Sequence, residues 1–351
     1  MSWLKKKRIL LDYAGGKENP SGIHKEGVLA RKKLEDARAK VARVLGTQKK
    51  DIIFTSGGTE SDNLAILGVF EATRTLGVHK PHIIISDNEH PAVLESAKEA
   101  ERRGAELSIL PVEKIIENIK DNTVLISIIY GNNETGSINP VPKLARLIKD
   151  IRRKKESKYP FFHTDASASY EYLEVNINKI LADLVTVGEV LVVRPNVEIR
   201  PLLMGGGQER GLRSGTENIP SIISFAYELE LIEFERVKES ERLTKLKEIF
   251  LTKLKESIPQ AIINTPKESL PNIVSVTIPG ALHEFLAIKL DERGVAVSTG
   301  SSCDSRKNID TRPTERGQSF GREEALRFSF GKNTKKTDVS DVVRILKEEM
   351  L

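Results

Sequence analysis

Phe54-Thr55-Ser56-Gly57-Gly58-Thr59-Glu60-Ser61-Asp62-Asn63 ends an apolar strand, turns on two glycines and opens a helix. Similar units recur outward along the chain. Apolar runs at 52–55, 83–86, 124–130, 161–165, 184–187 and 190–193 read as strands, and segments at 27–45, 61–76, 91–103 and 142–155 read as helices between them. The strand runs are continuous rather than alternating, as in strands covered by helices on both faces. This alternation predicts an α/β fold built on a large doubly wound, mixed or parallel open sheet. Ligands of such sheets bind beyond the C-terminal ends of the strands. A long charged helix over about 221–257 leads to a smaller α+β domain with strands at 272–278 and 295–298. The expected division is a large domain over 12–232 and a small one made of 1–11 and 233–351.

Composition bounds the function classes. A chain of 351 residues, 39% hydrophobic and 30% charged, can bury a sizeable core without disulfides or metals. The net charge of +5 is small beside 55 basic and 50 acidic residues. The clusters Lys5-Lys6-Lys7-Arg8 and Arg152-Arg153-Lys154-Lys155 therefore read as solvated termini and helix ends. With no interleaved aromatic pattern, nucleic acid is not an expected partner. Cys303 is the sole cysteine, so no intrachain disulfide forms. No apolar run reaches the roughly 18 residues needed to span a bilayer. Ile9-Leu10-Leu11 is too short for a signal peptide core, so a cytoplasmic protein without membrane contact is expected.

Seven features are candidates for chemistry. The Gly57-Gly58-Thr59 turn has the free N–H groups and hydroxyl of a phosphate cradle, although Thr59 or Ser61 would equally cap an ordinary helix. His90, in Asn88-Glu89-His90-Pro91, follows a strand and either faces the same crevice or caps the next helix. Asn132-Asn133 follows another strand and suits a small polar ligand or a plain turn. Asp165 ends the strand at 161–165, where its carboxylate can pair with a cationic ring nitrogen or cap a helix. The loop from Met204 to Asn218, with Arg210, Arg213 and Thr216 among its glycines, offers anion contacts from a second direction. Cys303 lies in the small polar segment Ser301-Ser302-Cys303-Asp304-Ser305, which favours thiolate chemistry. Arg327, alone in the apolar run 326–331, calls for an anionic partner such as a substrate carboxylate.

In this order, from Leu11-Asp12-Tyr13-Ala14 and Asn19-Pro20-Ser21 to Arg327, the segments resemble the cysteine desulfurases, class V members of the pyridoxal phosphate fold-type-I superfamily. The glycine–arginine loop over 205–220 and the turn over 56–63 are the most specific matches. The resemblance implies that Gly58 and Thr59 hold the cofactor phosphate, that His90 stacks on the ring and takes part in catalysis, and that Asp165 keeps the ring nitrogen protonated. It implies that Asn133 and Arg327 bind the carboxylate of L-cysteine, and that Thr216 reaches the phosphate in the partner subunit of a homodimer. Cys303 would take the sulfur as a persulfide, releasing alanine, and pass it to an iron–sulfur scaffold or a tRNA-thiolation protein.

The chain departs from that pattern in three places. The family's Ser-x-His-Lys motif, whose lysine forms a Schiff base with the cofactor, is missing after the strand at 184–187, and no lysine lies between Lys179 and Lys238. Ala168 stands where the family has a glutamine. Ala14 runs into Gly15-Gly16-Lys17-Glu18 where relatives have a further helical stretch. A catalytically silent homologue, acting as a structural or sulfur-carrier partner, is therefore the competing expectation.

Overall fold

The computed structural model describes residues 9–14, 16, 19–299 and 325–350. Helix α1 (Lys25–Val44) precedes strand β1 (Ile52–Phe54), and α2 (Gly58–Thr75) leads to β2 (His82–Ser86). There follow α3 (Pro91–Arg102), β3 (Glu106–Leu110), β4 (Thr123–Ser127), α4 (Val141–Lys154) and β5 (Phe161–Asp165). A single-turn helix, α5 (Ile177–Ile180), precedes β6 (Leu184–Val187) and β7 (Val190–Val193). These seven strands form one sheet in the order β1-β7-β6-β5-β4-β2-β3.

Strands β2 to β6 run parallel, whereas β7 pairs antiparallel with both β6 and β1. The sheet is therefore mixed, as the sequence allows. Ile83, Ile84, Ile85, Leu125, Ile126 and Phe162 are buried within it, because helices cover both faces. One core cluster joins α1, α4 and the start of the next long helix to one face, through Leu34, Val41, Ile148 and Phe225. The other joins α2 and α3 to the opposite face through Leu64, Phe70, Val93 and Ala97.

Helix α6 (Ile219–Ser257) is 39 residues long and runs on to a second, four-stranded sheet. That sheet consists of β8 (Ile262–Ile263), β9 (Ile273–Thr277), β10 (Ser298–Thr299) and β11 (Leu326–Ser329), in the order β10-β11-β9-β8. Helices α7 (His283–Glu292) and α8 (Lys336–Glu348) complete this unit. Its core holds Phe250 of α6 against Phe328 and Phe330, with ring centroids 4.8 and 5.6 Å away.

Three element expectations change. β3, not read from the sequence, closes one edge of the large sheet, where its residues are half-buried or exposed. β4 stops at Ser127, because Ile128 and Tyr130 turn their N–H groups to the carbonyls of His163 and Asp165 outside the regular ladder. The strand expected at 295–298 is instead Ser298–Thr299, since Val295 is held in the turn that closes α7 by a bond to Leu290 O.

Candidate active site

The turns beyond β1, β2, β4, β5 and β6 lie at one end of the large sheet. After β1, Gly57 adopts φ +153°, ψ 176°, a conformation that requires glycine. Helix α2 then starts at Gly58 with no side chain capping it. Its first N–H groups are therefore free to take an anion, and the helix dipole favours one there. Neither Thr59 nor Ser61 serves as the cap; the Ser61 hydroxyl is 2.7 Å from Thr55 Oγ1. A Cβ on Gly58 would stand 3.1 Å from Ser167 Oγ, so the turn closes tightly against the β5 end.

The glycine–arginine loop is tied to this turn. Arg213 Nε donates to Glu60 Oε1 at 2.8 Å, and Ser56 N–H donates to Glu60 Oε2 at 2.8 Å. Burial works against ionised Glu60, but the bonds from Arg213 and Ser56 hold its carboxyl below the usual range. Deeper in the loop, buried Glu209 accepts from Arg38 Nη1 and Nη2 at 2.8 and 2.6 Å and from Phe54 N–H at 3.0 Å. This removes the loop's freedom: its middle is anchored to α1 and β1. Thr216 lies exposed farther along the loop and takes no part in these bonds.

The floor is acidic. Asp165 is 5% exposed and accepts from Ser167 N–H at 2.8 Å. Burial raises its pKa, while the Ser167 bond and the nearby His90 ring oppose the rise. His90 caps α3, its Nδ1 accepting from Ala92 N–H at 3.1 Å. That bond fixes the neutral tautomer with its proton on Nε2, away from the helix. Capping and facing the crevice are thus compatible for His90.

Two further acids stand beside Asp165. Glu89 accepts from Ile129 N–H at 2.7 Å and from the Ser86 hydroxyl, but its buried Oε2 has no partner. Burial pushes its pKa to about 8. Asp62 is likewise buried with Oδ1 unpartnered, and burial together with the Asp165 charge lifts its pKa well above the carboxylate range. The sequence gives their positions, since both fall inside the quoted motifs, but residue type alone suggests surface acids.

Arg327 reaches the site from the small sheet. Its Nη1 donates to Asn133 O at 3.1 Å, so β11 is pinned to the turn beyond β4. Its Nε is buried without a partner, an unmet donor that an anionic ligand can take up. Asn132 holds that turn by donating to Asn88 O at 2.9 Å and accepting from Thr135 N–H at 2.7 Å.

Residues 7–342 match the family model described as aminotransferase class-V. The chain belongs to this family. As a class-V chain it is 34% identical over 348 residues to the "Putative cysteine desulfurase IscS 1" of Bacillus subtilis, covering 92% of itself and 89% of that relative. It is 35% identical over 354 residues to the "Cysteine desulfurase IscS" of Dictyoglomus turgidum, covering 93% and 86%. Among solved structures, a "NIFS-LIKE PROTEIN" superposes with TM-score 0.82 at 30% identity, covering 95% of this chain and 91% of that one. A NifS-like protein from Rickettsia africae superposes with TM-score 0.77 at 25% identity, covering 94% and 91%.

Within the class-V fold, Gly58 and Thr59 stand at the α2 start, His90 lies close to Asp165, and Asn133 bonds Arg327. Cys303 lies outside the described residues. Ala168 follows the Ser167 turn beside Asp165. No helix among the described residues is long and apolar enough to cross a membrane, and no cluster of histidine and acidic residues among them could hold a metal ion.

Proposed function

We propose that this chain is a cysteine desulfurase, converting L-cysteine to alanine and leaving the sulfur on Cys303 as a persulfide. Its substrate and reaction follow the names of the relatives; its own residues supply the local chemistry. The observation that carries the reading is the arginine brought from the small unit to the turn beyond β4, with one buried donor unmet, in a chain whose neighbouring strand end carries buried Asp165. A pyridoxal phosphate enzyme needs these three together: an anion cradle, a carboxylate for the ring nitrogen and a clamp for the substrate carboxylate.

The residues fit that cofactor's polar groups. The uncapped α2 start, with Gly58 and Thr59, would hold the phosphate, and Asp165 would hold the ring nitrogen. Bound there, pyridoxal phosphate supplies an electron sink for bond cleavage at the substrate's α-carbon and side chain. His90 offers a flat face and one free N–H beside Asp165. Asn133 and Arg327 would orient the substrate carboxylate. Thr216, exposed on a loop anchored through Glu209, would serve the phosphate of a second protomer in a homodimer. A cytoplasmic setting, which keeps a lone thiol reduced, suits sulfur transfer to an iron–sulfur scaffold or tRNA-thiolation protein.

The test supplies purified chain with pyridoxal phosphate, L-cysteine and a dithiol reductant, which releases the persulfide sulfur as sulfide, and measures alanine and sulfide. Both are expected, and in Arg327→Lys the KM for cysteine should rise about 10- to 100-fold, the worth of charged hydrogen bonds lost from a fork-shaped donor. Neither product above the blank overturns the proposal. The missing lysine favours a second reading, a silent partner that carries sulfur on Cys303 without retaining cofactor. A chain that stays colourless after incubation with the cofactor would select it.

A further inference from the structure

The turn nearest the cradle is unusually short. β6 and β7 are joined by Gly188 and Glu189 alone. Gly188 N–H donates to Ser167 Oγ at 3.3 Å, and the Ser61 hydroxyl donates to Gly188 O at 3.3 Å, so this turn sits directly against the Gly58–Ser167 contact. The Glu189 carboxylate accepts from Ser221 Oγ at 2.8 and 2.9 Å, and Glu189 O accepts from Thr55 N–H at 2.9 Å. Both residues are fully engaged, and neither has an amine.

Among the described residues no lysine is both buried and uncommitted. An aldehyde is captured covalently by a lysine that is buried and easily deprotonated. Lys247 is the one buried lysine among the described residues. Burial lowers its pKa to about 8, as such chemistry would want. Its amine, however, donates to Ser269 Oγ at 2.6 Å and Leu270 O at 2.8 Å, which commits it to a turn that flanks the small sheet.

We infer that this chain holds pyridoxal phosphate as an exchangeable, noncovalent ligand, through the α2 start and Asp165, with no lysine tether. This rests on the desulfurase reading and deepens it. Occupancy then follows free cofactor concentration rather than a covalent bond, and the aldehyde itself adds little to affinity. Affinity comes from the phosphate and the ring nitrogen, which pyridoxal phosphate and pyridoxamine phosphate share.

Two measurements on the full chain decide it. Equilibrium dialysis should give Kd values for pyridoxal phosphate and pyridoxamine phosphate within about threefold of each other, both weakened about 10-fold or more in Asp165→Asn. Borohydride reduction of the loaded protein, followed by denaturation and intact mass, should leave the chain at its unmodified mass. A stoichiometric phosphopyridoxyl adduct on one lysine, or a preference above about 100-fold for the aldehyde, overturns the inference and leaves the desulfurase reading standing. Failure of both ligands to bind overturns both readings. Adventitious labelling of surface lysines would be substoichiometric and unchanged in Asp165→Asn, which separates it from a tether.

Discussion

Glu89 has no cation beside it to hold a buried charge, so at neutral pH it keeps its proton. Burial sets its folded pKa near 8, above that of an exposed glutamate. The unfolded chain gives up this proton first as pH rises. Its stabilising contribution is therefore full below the ordinary carboxylate range and is lost as pH climbs toward 8. In Glu89→Gln, which retains an oxygen for Ile129 N–H, the fall in melting temperature between about pH 5 and 8 should be shallower than in the unaltered chain. Parallel curves would mean that Glu89 is already ionised in the fold. Residues such as Asp165 and Arg327 were legible in the sequence because an acid at a strand end and a cation in an apolar run stand out. Glu89 and Asp62 did not stand out, since nothing in a glutamate's neighbours along the chain announces that three strand ends will close over it.

At the scale of elements, the buried parallel strands were readable because helices on both faces demand apolar side chains at every position. β3 escaped because an edge strand needs no such run: Glu106 and Ser108 alternate with Leu107 and Ile109, and one flank lacks a partner. β8 escaped because two residues leave no pattern. The small sheet depends on α6 for its core. Phe250 is wholly buried against Phe328 of β11 and Phe330 just beyond it, and Phe250→Ala should cost about 3–5 kcal/mol in urea unfolding. A loss below about 1 kcal/mol would show that the cavity collapses freely.

For the whole molecule, α6 is the member shared by the two cores. Ile222, Phe225, Ala226 and Leu229 pack in the large unit, and Leu243, Leu246, Phe250 and Leu254 in the small one. Ile223, Tyr227 and Phe234 lie exposed along the same helix. With the homodimer proposed above, light scattering should return twice the 39.1 kDa chain mass, and Phe234→Asp should lower it if this stripe is covered. A chain that scatters as one protomer at micromolar concentration would exclude the shared site.

No residue between Leu229 and Leu243 is buried, so within that stretch helical winding alone sets the angle at which α6 delivers the small core, and the Arg327–Asn133 and Leu270–Gly136 bonds then join it to the large unit. Adding one residue there would rotate Arg327 by about 100° around the helix axis relative to Asp165, whereas seven added residues would bring it back to within about 20° of its starting angle, though about 10 Å farther away. Spacing and angular phase are thus locked together in one rod, and evolution can lengthen the loops of this protein far more freely than it can lengthen that helix.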